Sequence, residues 1–163
     1  NWYKHISPDF IDNLKRVINI AGDKYSTSNI VDMQSVQSLA DKRFQVISAV
    51  VKTLYSCMCL GVKASTTVEA FTYPGLINKI RHSFLKGNYD QSLYFQNRLN
   101  TLIKKMPNIS AKQNFLKVAE IKYLLSKKKL CKKFVTKPYK CVNSIKEKKL
   151  LDNFYNKYFN ELF

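Results

Sequence analysis

The chain has 163 residues, 45% of them hydrophobic and 13% aromatic, which is enough for one domain with a real core and too apolar for a disordered segment. Its formal charge of +17 is uneven, since residues 101–163 carry 16 lysines against Glu120, Glu147, Asp152 and Glu161 while residues 1–100 carry 12 Lys and Arg against 7 acids. Four glycines and four prolines are few for an all-β chain, and no apolar run reaches the roughly 18 residues that span a bilayer, so a mainly helical protein with no membrane partner is expected.

Taken in order, Ser7-Pro8-Asp9 reads as a helix start: a serine cap, a proline in the first turn and an acid near the positive helix end. Phe10, Ile11, Leu14, Val17 and Ile18 then recur at helical spacing, which predicts a helix over residues 8–18. Ile20-Ala21-Gly22 leads into a short strand ending near Lys24, and Ser26-Thr27-Ser28-Asn29 supplies turn and cap residues. A second helix follows on Ile30, Met33, Val36 and Leu39. Residues 43–48 have the β-branched and aromatic character of a buried strand, and residues 50–60 form a helix-length apolar stretch stopped by Gly61. Residues 62–68 read as a third strand. Strand, helix, strand, helix, strand within about fifty residues is the pattern of a parallel α/β sheet.

From Tyr73 onward only helices are predicted. Pro74 starts one that Gly87 closes; another carries Leu93, Phe95, Leu99, Leu102 and Ile103; Ser110 caps a third through Phe115, Val118, Ile121 and Leu124. Residues 130–142, with Pro138, read as an extended connection. A last amphipathic helix starts near Asn143 and places Leu150, Leu151, Phe154, Tyr158 and Phe159 on its apolar side.

Cys57, Cys59, Cys131 and Cys141 offer no CxxC pair and no Cys/His cluster, so buried reduced thiols are expected rather than a zinc site. With no secretory leader visible, the expected location is cytoplasmic; the opening at Asn1 without methionine fits a missing or processed start. His5 and His82 have no acid at ligand spacing and read as surface or capping residues. The lysine-rich final third would attract anionic partners, and a basic helical nucleic-acid-binding module, with Tyr123 and Tyr139 stacking on bases, is one reading of it. Solvated helix faces, with those tyrosines packed against neighbouring helices, are the other.

Lys24 is the candidate for chemistry. A lysine at the end of a short buried strand can be desolvated and form a Schiff base with a carbonyl substrate, although strand ends face water and the residue alone reads first as a solvated side chain. Asp23 stands beside it, and strand alternation predicts that the two point to opposite faces.

Gly22-Asp23-Lys24-Tyr25-Ser26-Thr27-Ser28 resembles the G-x-K-x-[ST] strand motif of the N-acetylneuraminate lyase and dihydrodipicolinate synthase family, whose lysine forms a Schiff base with pyruvate. Gly61 before the third strand, Tyr73-Pro74-Gly75-Leu76, Lys86-Gly87-Asn88-Tyr89-Asp90, and Lys137-Pro138-Tyr139 are similar to later motifs of that family in the same order. The Lys-Tyr-Ser-Thr-Ser run is closest to the sialate lyase branch. The resemblance implies the carboxy-terminal half of a (β/α)8 barrel, about three parallel strands with their helices over residues 1–72, then the last barrel helix and a helical extension forming a three- to four-helix bundle over residues 73–163. It implies an aldolase that cleaves N-acetylneuraminate to N-acetylmannosamine and pyruvate, here as a fragment, with Lys24 as the imine-forming residue and Ser26 as a substrate-binding hydroxyl. It further implies a small-molecule partner (sialic acid or another 2-oxo acid aldol), no cofactor or metal, and a homotetramer. The family's Gly-x-Asp-Glu segment, which meets the sugar hydroxyls, falls at Ala49-Val50-Val51-Lys52, and its Gly-Ser-Thr-x-Asn segment at Thr67-Val68-Glu69-Ala70-Phe71. With those groups replaced, the alternative expectation is a lyase-like remnant without catalysis.

Overall fold

The computed structural model describes residues 6–109 and 117–162. The chain divides into two units, Asn1–Thr67 with Ile80–Gln96, and Val68–Lys79 with Asn97–Phe163. The expected cap at Ser110 and the expected core residue Phe115 lie outside the described residues, as does His5.

The first unit opens with α1 (Pro8–Lys15), where the Ser7 hydroxyl accepts a hydrogen bond from the Phe10 N–H at 3.3 Å. The helix stops three residues before the apolar spacing does. Arg43 donates to the Lys15 carbonyl, Lys15 Nζ donates to the Leu39 carbonyl at 2.7 Å, and the turn tightens through Val17 N–H to Leu14 O. Ile11 is buried, but Phe10, Val17 and Ile18 stay exposed. Next come β1 (Gly22–Tyr25), α2 (Ile30–Gln37) capped by Asn29, and β2 (Gln45–Ser48). The expected helix over residues 50–60 is a 3-10 turn (Val51–Thr53) leading into α3 (Leu54–Cys59), and β3 (Ala64–Ser65) is two residues long. β3 is short because its partner ends: β2 runs only to Ser48, and the last ladder bond is Thr66 N–H to Ser48 O at 2.9 Å.

The three strands form a parallel sheet in the order β1-β2-β3, with Lys24 opposite Ile47 and Ile47 opposite Ala64. Tyr25 and Val46 point to the side that packs with Ile11, Met33, Val36, Phe44, Cys57 and Val62. Each such side chain contributes about 1.5–3 kcal/mol on burial. β1 and β2 approach so closely that a Cβ at Gly22 would sit 2.3 Å from the Gln45 carbonyl oxygen. Asp41 fixes the entry to β2. Its carboxylate accepts from the Arg43 and Phe44 N–H groups, both at 2.8 Å, and pairs with Lys15 Nζ at 2.7 Å.

The helices α4 (Pro74–Leu85) and α5 (Tyr89–Lys105) each begin in one unit and end in the other. α4 closes on Gly87, at φ +78°, with Asn88 N–H returning to Ser83 O at 2.9 Å. Within the first unit Gln96, on α5, is buried with both ends of its amide used: Oε1 accepts from Tyr55 N–H at 2.9 Å and Nε2 donates to Val51 O at 3.1 Å.

The second unit holds α6 (Val118–Lys127), α7 (Ile145–Tyr158) and buried Tyr73, Leu99, Leu102, Leu124 and Leu151. Ser144 and Glu147 cap α7 reciprocally, Glu147 N–H donating to Ser144 Oγ at 3.2 Å and Ser144 N–H to Glu147 Oε2 at 3.0 Å. Tyr123 is 6% exposed and donates to Asp152 at 3.1 Å, so it is a packing residue rather than a stacking platform. The thiols are all free of disulfides, but the expectation of burial holds for Cys57 only; Cys59 and Cys131 are exposed and Cys141 is partly so.

Gly22→Ala is expected to destabilise the protein by about 1–3 kcal/mol, the range for forced overpacking. Gly75→Ala, where nothing lies within 4 Å of the added carbon, is expected to leave stability unchanged or raise it by up to about 1 kcal/mol. Urea melts of the two variants check this; equal losses would refute the strand-contact account. The Asp41 carboxyl is held down to about 2, first by its bond to Lys15 and then by the Phe44 and Arg43 amides. A depressed carboxyl stabilises the fold above its ordinary value of 3.8 and loses that contribution as pH falls toward about 2. Thermal melts between those limits should show a fall that Asp41→Asn lacks.

Candidate functional site

In open parallel sheets and in barrels, ligands meet the carboxy ends of the strands. Here those ends carry Ser26 and Thr27 after β1, Ser48 and Ala49 at β2, and Ser65 and Thr66 at β3. The backbone ladder continues past the strands, through Ala49 N–H to Tyr25 O at 3.1 Å and Thr66 N–H to Ser48 O at 2.9 Å, so this rim is held rather than loose. Thr27 Oγ1 accepts from Asn29 N–H at 3.0 Å, and Asn29 Oδ1 accepts from Val31 N–H at 3.0 Å, which orders the turn into α2.

Alternation along β1 separates the neighbouring ionisable groups. Tyr25 turns into the core, where its hydroxyl donates to Ile6 O at 2.9 Å and burial pushes its pKa up, with Asp32 and Asp23 adding to the rise. Asp23 lies on that same helix-covered side. Its Oδ2 is buried and accepts no hydrogen bond among the described residues, and burial pushes its carboxyl up against the opposing pull of Lys24. Lys24 projects from the other face, exposed, with Ile47 and Ala64 beside it in register and Ser26 two residues further on.

Lys24 and Ser26, the two site residues expected from sequence, therefore stand on one open face at the carboxy end of β1. The segment at Ala49-Val50-Val51-Lys52 contributes no carboxylate: Val51 is buried in the 3-10 turn and Lys52 is exposed. Ile47 and Ala64 were not singled out from sequence. They become neighbours of Lys24 only through strand register, which a period-two pattern within one strand does not report. A cavity of about 340 Å³ opens at the opposite, amino end of β2 and β3, lined by Gln37, Asp41, Lys42, Gln45, Gly61 and Lys63 among others, and includes neither Lys24 nor Ser26. Among the described residues no group of three or more His, Cys, Asp or Glu could hold a metal ion, and no helix is long and apolar enough to cross a membrane.

The sequence matches the profile of the Dihydrodipicolinate synthetase family over residues 3–154. No curated protein sequence matches it significantly. Among solved structures the chain is similar to a catalytic lysine mutant of the Ruminococcus gnavus sialic acid aldolase, with 15% identity and a TM-score of 0.81 over 96% of this chain and 50% of that one. It is similar also to N-acetylneuraminate lyase from Mycoplasma synoviae (15% identity, TM-score 0.80, 96% of this chain and 52% of that one). Dihydrodipicolinate synthase from Aquifex aeolicus gives 21% identity and a TM-score of 0.76, again over 96% of this chain and 52% of that one. At such identities the likeness shows the fold, of the TIM-barrel type, and the chain spans about half the length of the structures it matches.

The raised Asp23 carboxyl carries its own test. A carboxyl raised in the folded state favours folding below its ordinary value and opposes it as pH rises through the folded value. Asp23→Asn is therefore expected to melt at a higher temperature than the unaltered protein at pH 7, with the difference closing in acid. A lower melting temperature for the variant at pH 7 would show that the carboxylate has a partner that compensates its burial.

Proposed function

Because the chain belongs to the dihydrodipicolinate synthetase family, we propose that it carries the Schiff-base half of a class I aldolase site, with Lys24 as the nucleophile. The observation that supports this most is the position of Lys24: on the open face of β1, at the strand's carboxy end, away from the carboxyl of Asp23 and flanked by the side chains of Ile47 and Ala64, which offer it no counter-charge. On this reading the Lys24 amine, when neutral, adds to the carbonyl of a 2-oxo acid. Loss of water gives an imine, and in its protonated form the imine takes up the electron pair released when the carbon–carbon bond one atom further along breaks, leaving an enamine. The hydroxyl on the departing carbon gives its proton to solvent and becomes the aldehyde. Protonation of the enamine and addition of water then free pyruvate and Lys24. Ser26 supplies a hydroxyl to the bound acid from the same face.

The substrate on this reading is N-acetylneuraminate, cleaved to N-acetylmannosamine and pyruvate, as suggested by the Lys24-Tyr25-Ser26-Thr27-Ser28 run. The same reading takes β1–β3 as the last three strands of a (β/α)8 barrel over residues 1–72 and residues 73–163 as the last barrel helix and a helical bundle, in a homotetrameric cytoplasmic enzyme.

Incubating the protein with pyruvate and borohydride should leave a reduced adduct on Lys24, located by peptide mass mapping, and Lys24→Met should abolish it. Cleavage of N-acetylneuraminate by the unaltered protein would add the substrate assignment. An unlabelled Lys24 would sink the aldolase reading and leave a fold without this chemistry.

A further inference from the structure

Residues 127–140 hold seven lysines and no acid. The segment leaves α6 through Lys129 in the left-handed region, at φ +58°, and Leu130 N–H returns to Leu125 O at 3.1 Å. Val135 N–H donates to Cys141 Sγ at 3.5 Å, Tyr139 N–H to Thr136 O at 3.1 Å, and Val142 is buried. The backbone is thus tied down at several points along the stretch. Within it Leu130 is 64% and Phe134 60% exposed. Two large apolar side chains held in water among lysines lose the transfer free energy that burial would bring, and nothing in the segment's own bonding requires them there.

We propose that residues 127–140 form a docking surface for an anionic lipid bilayer. Lys127 is held by Asp152 at 3.0 Å, so it is Lys129, Lys132, Lys133 and Lys137 that meet the phosphate and carboxylate headgroups, while Leu130 and Phe134 enter the boundary between headgroups and acyl chains. This is attachment to a membrane surface, which differs from the spanning that no described helix is long enough to do. The residue types favour lipid over nucleic acid. No arginine follows Arg98, so the bidentate guanidinium that reads phosphates and bases is missing from the whole basic region, and Tyr123 is packed away with its hydroxyl on Asp152. Leu130, as exposed as Phe134, offers no ring for a base to stack on, and its apolar bulk suits an acyl boundary.

Co-sedimentation of the full chain with phosphatidylcholine vesicles containing about one-third phosphatidylserine, at about 0.15 M salt, tests this. Binding at least about tenfold tighter than to pure phosphatidylcholine vesicles is expected, and the double variant Leu130→Ser/Phe134→Ser, with charge unchanged, should lose about tenfold of it. Lys132→Gln/Lys133→Gln should weaken binding at low salt and leave a smaller salt dependence. Circular dichroism confirms that each variant is folded. Equal binding to both kinds of vesicle, or full affinity in the Leu130/Phe134 variant, would overturn the proposal. So would tighter binding to single-stranded poly(U) at the same salt that the Leu130/Phe134 variant retains.

Discussion

The backbones of β1 and β2 meet at Gly22 with room for a hydrogen and for nothing larger, 2.3 Å separating the Gln45 carbonyl oxygen from where a Cβ would be. That contact brings the two strands into register, and the register determines the rest of the first unit. With Gly22 opposite Gln45, Lys24 falls opposite Ile47 and Tyr25 opposite Ser48. Shifted by one residue, the sheet would drive Lys24 into the helix-packed core and turn Tyr25 out to water. A glycine at the start of the strand therefore governs which face the lysine occupies.

The sheet has two unlike sides as a result. One is sealed by apolar side chains of α1, α2 and α3, and there burial raises the carboxyl of Asp23, whose Oδ2 meets no donor among the described residues. The other carries Gln45, Lys24 and Ala64, all exposed, with Ile47 half-covered between them. An amine next to a carboxyl in sequence is thereby kept on the opposite side of the backbone from it. Period-two geometry alone achieves this separation, and four residues of strand are long enough for it.

Much of this was legible in the residues, and what was not has identifiable causes. Ser7-Pro8 and Gly87 mark helix ends because capping is local chemistry, and both ends fall where the sequence puts them. The parallel sheet and the family follow from elements and motifs whose spacing is local too. α1 ends three residues short of its apolar spacing because Arg43, nearly thirty residues on, takes the Lys15 carbonyl. β3 is shorter than residues 62–68 suggest because its length depends on how far β2 extends beside it. Gln96 carried no sequence signal at all, since its partners Tyr55 and Val51 lie more than forty residues upstream. The Ser144 and Glu147 box has a local signal, S-x-x-E, at the start of α7. The motif makes Lys24 and Ser26 the candidates, but their neighbours Ile47 and Ala64 emerge only from register.

Neither unit is a continuous stretch of chain. The first takes its last turns of helix from residues 80–96, after the chain has already entered the second, and α4 and α5 belong half to each. No single cut in a gene would release one unit whole, and no single insertion could have added one. Duplication, exon exchange and terminal truncation all work on contiguous segments, so none can trade either unit away without breaking the other. No one such event gains or loses a unit whole, whereas Lys24 and the lysine-rich segment each lie on a single contiguous stretch.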